Sequence, residues 1–141
     1  MKRLIISSLV VAALLTGVVL ASAHAQDPPP FRGPNLTGLW RFEQTGDGGR
    51  KRTGKLRLRQ NGSRITGTAT LSGNFRGKVD GSVTAQTVSL TIEYEVGGKR
   101  RVKVSTSYQG ALSFDGNSLE HGTYEARAAS GGETGRWNAS R

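Results

Sequence analysis

The chain has 141 residues, no cysteine, 20 basic against 10 acidic side chains, and only 35% hydrophobic residues. The lack of cysteine excludes disulfides, thiolate metal sites and a lipidated N-terminal cysteine, so packing and backbone hydrogen bonds must hold whatever fold forms. A surplus of positive charge this large favours anionic partners: nucleic acid, acidic polysaccharide, lipid head groups or an acidic protein face.

At the start, Met1-Lys2-Arg3 leads into an apolar run from Leu4 to Leu20, and Ala23-His24-Ala25 stands ahead of Gln26. A charged start, an apolar middle and a small-residue exit form the pattern of a secretory signal peptide over residues 1–25, which predicts export to the periplasm or beyond the cell. A membrane anchor is the alternative, because the apolar run sits at the lower length limit for crossing a bilayer. Residues 26–35 contain all four prolines of the chain (Pro28, Pro29, Pro30 and Pro34), which predicts an extended Pro-rich linker. Removal of the leader would leave 116 residues with 18 basic and 10 acidic side chains, the size of one domain able to bury its own core.

From residue 36 to 141 there is no proline, which suits continuous strand ladders, and short alternating segments are separated by glycine-rich turns. Leu36 to Gln44 places Leu36, Gly38, Trp40 and Phe42 on one face. Thr53 to Gln60 alternates Leu56 and Leu58 with Lys55, Arg57 and Arg59, leucines inward and cations outward. Asn61-Gly62 is a strong hairpin signal leading into Arg64 to Leu71, with Ile65, Gly67, Ala69 and Leu71 inward. Phe75 to Val83 turns Phe75, Gly77, Val79, Gly81 and Val83 inward, and Arg76 and Lys78 outward.

Val88 to Val96 is the most β-prone segment, with Val88, Leu90, Ile92, Tyr94 and Val96 on one side and Glu93 and Glu95 on the other. Lys99 to Ser113 follows, with a bend or bulge expected at Gly110. In Ser118 to Arg127 the inward face is ambiguous between Leu119, His121 and Thr123 on one parity and Gly122, Tyr124 and Ala126 on the other, which a bulge would reconcile. Thr134 to Arg141 closes the series with Trp137 and Ala139 inward. Short connections make sequential strands pair antiparallel. The expected fold is therefore all-β, a single eight-stranded up-and-down meander closed into a barrel, with a two-sheet sandwich as the competing architecture.

The opening Leu36-Thr37-Gly38-Leu39-Trp40, the closing Trp137-Asn138-Ala139-Ser140-Arg141, and between them Ile65-Thr66-Gly67-Thr68 and Gly122-Thr123-Tyr124 resemble the calycin group of barrels, the lipocalins and especially the avidin-like proteins. In that group an arginine near the last strand packs across the first-strand tryptophan and closes one end of the barrel. The resemblance implies this structural role for Trp40, Trp137 and Arg141, with Arg136 as the substitute, and a guanidinium over an indole face is worth roughly 1 kcal/mol. Biotin binding does not carry over: the polar positions two and six residues after the opening tryptophan are Phe42 and Gly46 here, and the inner aromatic box is reduced to Trp40 and Trp137.

No catalytic set can be assembled. His121 is the one histidine beyond the leader, no serine stands in a nucleophile-elbow context, and Glu93 and Glu95 project outward where carboxylates are solvated. One histidine and scattered carboxylates do not supply a metal shell, and the glycine-rich stretch Thr45 to Gly49 leads into strand rather than helix, so neither metal, cofactor nor enzymatic activity is expected. Two basic runs are the candidate anion-binding surface: Arg50, Lys51, Arg52, Lys55, Arg57 and Arg59, then Lys99, Arg100, Arg101 and Lys103. They suit an anionic polymer or a lipid surface; nucleic acid is disfavoured because no outward aromatics interleave with the cations. Solubility and the guarding of strand edges are the competing explanations of the charge.

Tyr94, Thr106, Tyr108 and Tyr124 are inward polar groups in an apolar lining, the makings of a barrel-mouth site for a small apolar ligand. A packed lumen whose tyrosine hydroxyls reach the rim or each other is the alternative reading. The expected function is thus an exported non-enzymatic binding barrel. Its possible forms are an electrostatic surface binder, a lipocalin-like carrier, or an inhibitor whose Pro-rich arm enters the cleft of an exported enzyme.

Overall fold

The computed structural model describes residues 33, 35–72, 75–96 and 101–141. The signal-peptide reading, nearly all of the linker, and Lys99 and Arg100 lie outside them. Eight strands form: β1 (Gly38–Gly46), β2 (Lys51–Asn61), β3 (Arg64–Leu71), β4 (Phe75–Thr84), β5 (Thr87–Val96), β6 (Val102–Leu112), β7 (Ser118–Ala128) and β8 (Gly131–Ser140). Each pairs antiparallel with the next and β8 pairs back onto β1, so the sheet closes in sequence order. The sandwich alternative is thereby excluded.

Alternation alone explains which side chains face the lumen. Leu56 and Leu58 are buried, while Lys55, Arg57 and Arg59 between and beyond them are exposed. The same period holds for Trp40, Phe42 and Gln44 on β1, Val88, Leu90 and Ile92 on β5, and Gly135, Trp137 and Ala139 on β8. Leu39, on the opposite parity, is 52% exposed.

A meander gives the barrel two unlike ends. The turns after β2, β4 and β6, together with Asn35 and Arg141, gather at one end and seal it. Leu36 and Trp40 are fully buried there; the Trp40 indole N–H donates to the Leu36 carbonyl at 2.9 Å, and the Leu36 amide donates to Gln60 Oε1 at 2.8 Å. Arg141 lies across this plug with its guanidinium carbon 5.0 Å from the Trp40 ring centroid. Its Nη1 donates to the Asn35 carbonyl at 2.8 Å, and its amide donates to the Asn117 carbonyl. Arg136 instead lines an outer groove near Glu43 and His121.

One local expectation changes. In the β2–β3 hairpin, Asn61 pairs with Arg64, so the central turn residues are Gly62 and Ser63, not Asn61 and Gly62. Gly62 alone has positive φ (+58°), which is the II′ pattern of a glycine in the first central position. In the β4–β5 hairpin, Thr84 pairs with Thr87, and Ala85 takes that first position at φ +53° without being glycine.

The bulge expected in the seventh strand is present, and it also accounts for Gly110. Gln109 pairs with Thr123 and Ala111 with Glu120, so His121 and Gly122 together face Gly110. The extra residue therefore belongs to β7, where His121 adopts φ +53°, and not to β6. This slip lets both Leu119 and Tyr124 point inward. Gly122 also sits directly against the Trp137 indole, where a Cβ would collide with the ring.

Candidate functional site

Above the sealed end the lumen is filled by aromatic rings from four strands. Tyr108 stacks on Tyr124 with centroids 5.7 Å apart, meets Trp137 edge-on at 5.3 Å, and meets Phe42 edge-on at 6.4 Å. The Trp137 indole N–H donates to the Gln109 carbonyl, which fixes the ring against the bulge.

The tyrosine hydroxyls do not end in empty space. Tyr108 donates to Gln44 Oε1 at 2.7 Å, and both side chains are buried. Tyr124 donates to Glu133 Oε1 at 3.2 Å, and the other carboxylate oxygen of Glu133 pairs with Arg52 Nη1 at 3.0 Å. Tyr94 and Thr106 face each other at 3.5 Å between oxygens. Burial, reinforced by the neighbouring phenols Tyr94 and Tyr124, pushes Tyr108 far above the ordinary tyrosine range. Burial, then the Glu133 carboxylate, pushes Tyr124 up to about 12. Both therefore act as neutral donors at any physiological pH.

Over this polar layer, at the end where β1, β3, β5 and β7 finish, a cavity of about 500 Å³ opens. Leu71, Phe75, Val96, Val104, Ala126 and Ala128 supply its apolar lining, and Arg52, Tyr94 and Glu133 with Ser72 and Ser130 its polar groups. Phe75 has the inward parity expected of it but stands at the rim, 39% exposed, instead of in the core. Of the four residues read as a barrel-mouth set, Tyr94 lines the cavity, whereas Thr106, Tyr108 and Tyr124 are buried beneath it.

Arg52 requires a correction. It was placed in the outward basic run, yet the parity of Leu56 and Leu58 carried back along β2 reaches Gly54 and Arg52, and Arg52 enters the mouth to meet Glu133. Gln44 and Glu133 were not singled out at all. Both could have been found by counting inward positions, from Trp40 forward to Gln44 and from Trp137 back to Glu133.

The remaining basic residues separate by register. Lys51 is outward and pairs with Glu43 at 3.8 Å, Arg50 is exposed in the turn before β2, and Arg101 pairs with Glu95 at 3.2 Å. Lys103 is cross-strand partner to Glu95. Arg101 and Lys103 of the second basic run thus both stand beside Glu95 of β5. Lys55, Arg57 and Arg59 remain exposed on the outer wall and form no ion pair among the described residues. His121 lies on the outside of the bulge, and no group of three potential metal-ligating side chains occurs among the described residues.

No protein family pattern and no curated protein sequence matches the chain. Solved structures do. A redesigned β-barrel, mFAP1, bound to DFHBI, superposes with a TM-score of 0.52 at 16% identity, covering 75% of this chain and 94% of that one. EF1p2_mFAP2b, also bound to DFHBI, gives 0.55 at 15% identity, covering 75% and 93%. The likeness is one of fold. At such identity a shared barrel does not carry a shared ligand.

Proposed function

We propose that this protein is an exported, non-enzymatic β-barrel that binds a small, mostly apolar molecule in its open mouth. One observation carries the reading: the barrel is sealed at one end by Trp40 and Arg141 and open at the other onto a cavity of about 500 Å³, which is the size of a small-molecule pocket. Six apolar side chains supply the burial, the Arg52–Glu133 pair between β2 and β8 offers donors and acceptors, and Tyr94 adds a hydroxyl from β5 across the mouth. An elongated or flat ligand with hydrogen-bonding groups fits that polarity. The two similar barrels are bound to DFHBI, which makes it a reasonable probe here.

Export rests on the leader pattern of residues 1–25, and N-terminal sequencing of the mature protein tests it. Kinship with the calycin barrels is supported by the Gly38-Leu39-Trp40 opening and by Arg141 lying over Trp40. The polar groups beneath the mouth are tied to one another, Tyr108 to Gln44 and Tyr124 to Glu133, which suits a rigid floor better than a reacting centre.

Native mass spectrometry of protein purified from its own host tests the binding reading, together with titration by DFHBI and by anilinonaphthalene sulfonate. The expected result is a bound small molecule or saturable probe binding that Val104→Trp abolishes by filling the cavity, with the melting temperature retained. A bare mass with no binding of either probe, or binding that Val104→Trp leaves intact, would reject it.

A further inference from the structure

On the outer wall of β2, β3 and β4 the register sets three exposed columns side by side. Lys55 stands next to Thr70 and Thr70 next to Arg76; Arg57 stands next to Thr68 and Thr68 next to Lys78. Two lines of cations therefore flank a line of threonines. Adjacent strands are about 4.8 Å apart, so the cation lines run roughly 10 Å from each other, and successive cations on one strand are spaced by about 6.8 Å.

Several outward cations elsewhere pair with carboxylates, as in Arg101–Glu95, Arg127–Glu125 and Lys51–Glu43. On the wall, Lys55, Arg57, Arg59 and Arg76 have no ion pair among the described residues, whereas Lys78 meets Asp80 at 3.0 Å and stands opposite Glu93 of β5, in a groove that Arg76 and Glu95 also line. That Lys78 contact, and a weaker one from Arg64, hold the Asp80 carboxyl below its usual range. Closure of the barrel removes the ordinary explanation for such a row. Lysine and arginine guard exposed strand edges against pairing with other chains, but β2, β3 and β4 each have a partner on both sides and present no edge. Like charges two residues apart repel one another, so the row is a standing cost that an anionic partner would relieve.

We propose that this wall is a second binding surface, separate from the mouth, for a linear acidic polysaccharide lying along β3. Its anionic groups sit between the two cation lines and its hydroxyls exchange hydrogen bonds with Thr68 and Thr70. A narrow strip on a convex wall fits a single chain better than a plane of lipid head groups. Nucleic acid would need stacking platforms, and the outward positions of these three strands carry no aromatic residue.

The test uses labelled heparin fragments as the probe, titrated into the intact protein at low and high salt. Binding is expected to weaken steeply with salt, and the triple variant Lys55→Gln, Arg57→Gln, Arg59→Gln is expected to lose at least about tenfold in affinity with a flatter salt dependence. A charge-matched control, Arg101→Gln, Arg127→Gln, Arg136→Gln, should lose far less. Replacing Thr68 and Thr70 by valine, which leaves the charge intact and suits a strand, should weaken binding several-fold. Equal losses in the two triple variants would reduce the effect to net charge and overturn the assignment. So would absent binding, undiminished affinity in the valine variant, or tighter binding of a single-stranded oligonucleotide or of anionic vesicles than of heparin. Probe binding at the mouth should be untouched by all of these variants, which separates failure of the wall from failure of the mouth.

Discussion

The hydrogen bond between Tyr108 and Gln44 joins two buried side chains of the lumen, and its removal has a calculable consequence. Tyr108→Phe deletes the hydroxyl that donates to Gln44 Oε1 at 2.7 Å while keeping the ring that packs on Tyr124, Trp137 and Phe42. Gln44 is 2% exposed, so its carbonyl would be left without a partner, a loss of about 1–3 kcal/mol. Gln44→Met strands the Tyr108 hydroxyl in the same way and should cost a similar amount. The double variant removes both halves of the contact at nearly constant shape, and its cost should fall well below the sum of the two, with a coupling of roughly 1–2 kcal/mol. Urea denaturation reads this directly: with a slope of about 1.5 kcal/mol/M, each single change moves the midpoint down by about 1 M and leaves the slope unaltered. Additive losses, or a Tyr108→Phe variant within about 0.5 kcal/mol of the parent, would refute the claim that this pair is mutually satisfied and dry.

Arg141→Ala should lower stability by about 1–2 kcal/mol, through the guanidinium over Trp40 and the hydrogen bond to the Asn35 carbonyl, whereas Arg136→Ala should stay within about 0.5 kcal/mol; thermal melts distinguish the two arginines as closers of the barrel. Ala85→Gly should stabilise by about 0.5–1 kcal/mol, because glycine relieves the positive φ at the first position of the β4–β5 turn; a lower melting temperature would contradict that geometry. Tyr108 and Tyr124 are raised in the folded state above the unfolded value near 10, so the stability they contribute is complete below that pH and is lost as pH climbs through about 12 for Tyr124 and higher for Tyr108. Phenolate absorbance should accordingly show Tyr108 and Tyr124 ionising only with base unfolding, followed by circular dichroism; their ionisation near the ordinary tyrosine value of about 10 in a folded barrel would show the lumen to be wet.

The strand count, the strand order and most inward positions were legible in the sequence because a β-strand has period two and short turns leave few ways to connect eight of them. The segment Arg64 to Leu71 was read with its ends in place, and the leucines of β2 were assigned to the correct side. The bulge in β7 showed itself as a conflict of parity between Leu119 and Tyr124. What escaped was tied to the ends of elements. Arg52 lies one residue before the strand read from Thr53 to Gln60, so its parity is not counted there, and a cation reads as surface until a carboxylate such as Glu133 is brought opposite it by the pairing of distant strands. Gln44 is the last residue of the first strand as read, and a polar side chain there does not announce burial.

Local chemistry thus determined by itself that this chain would form a β-meander with apolar residues on one side and cations on the other, since alternation and turn residues act over a few positions. Only the tertiary structure decided that β8 returns to β1, that one end is plugged by Trp40 and Arg141 while the other opens onto a cavity, and that two lines of cations flank the threonines of β3. Those features depend on closure and register between strands far apart in the chain, where a shift of one residue would turn every inward group outward.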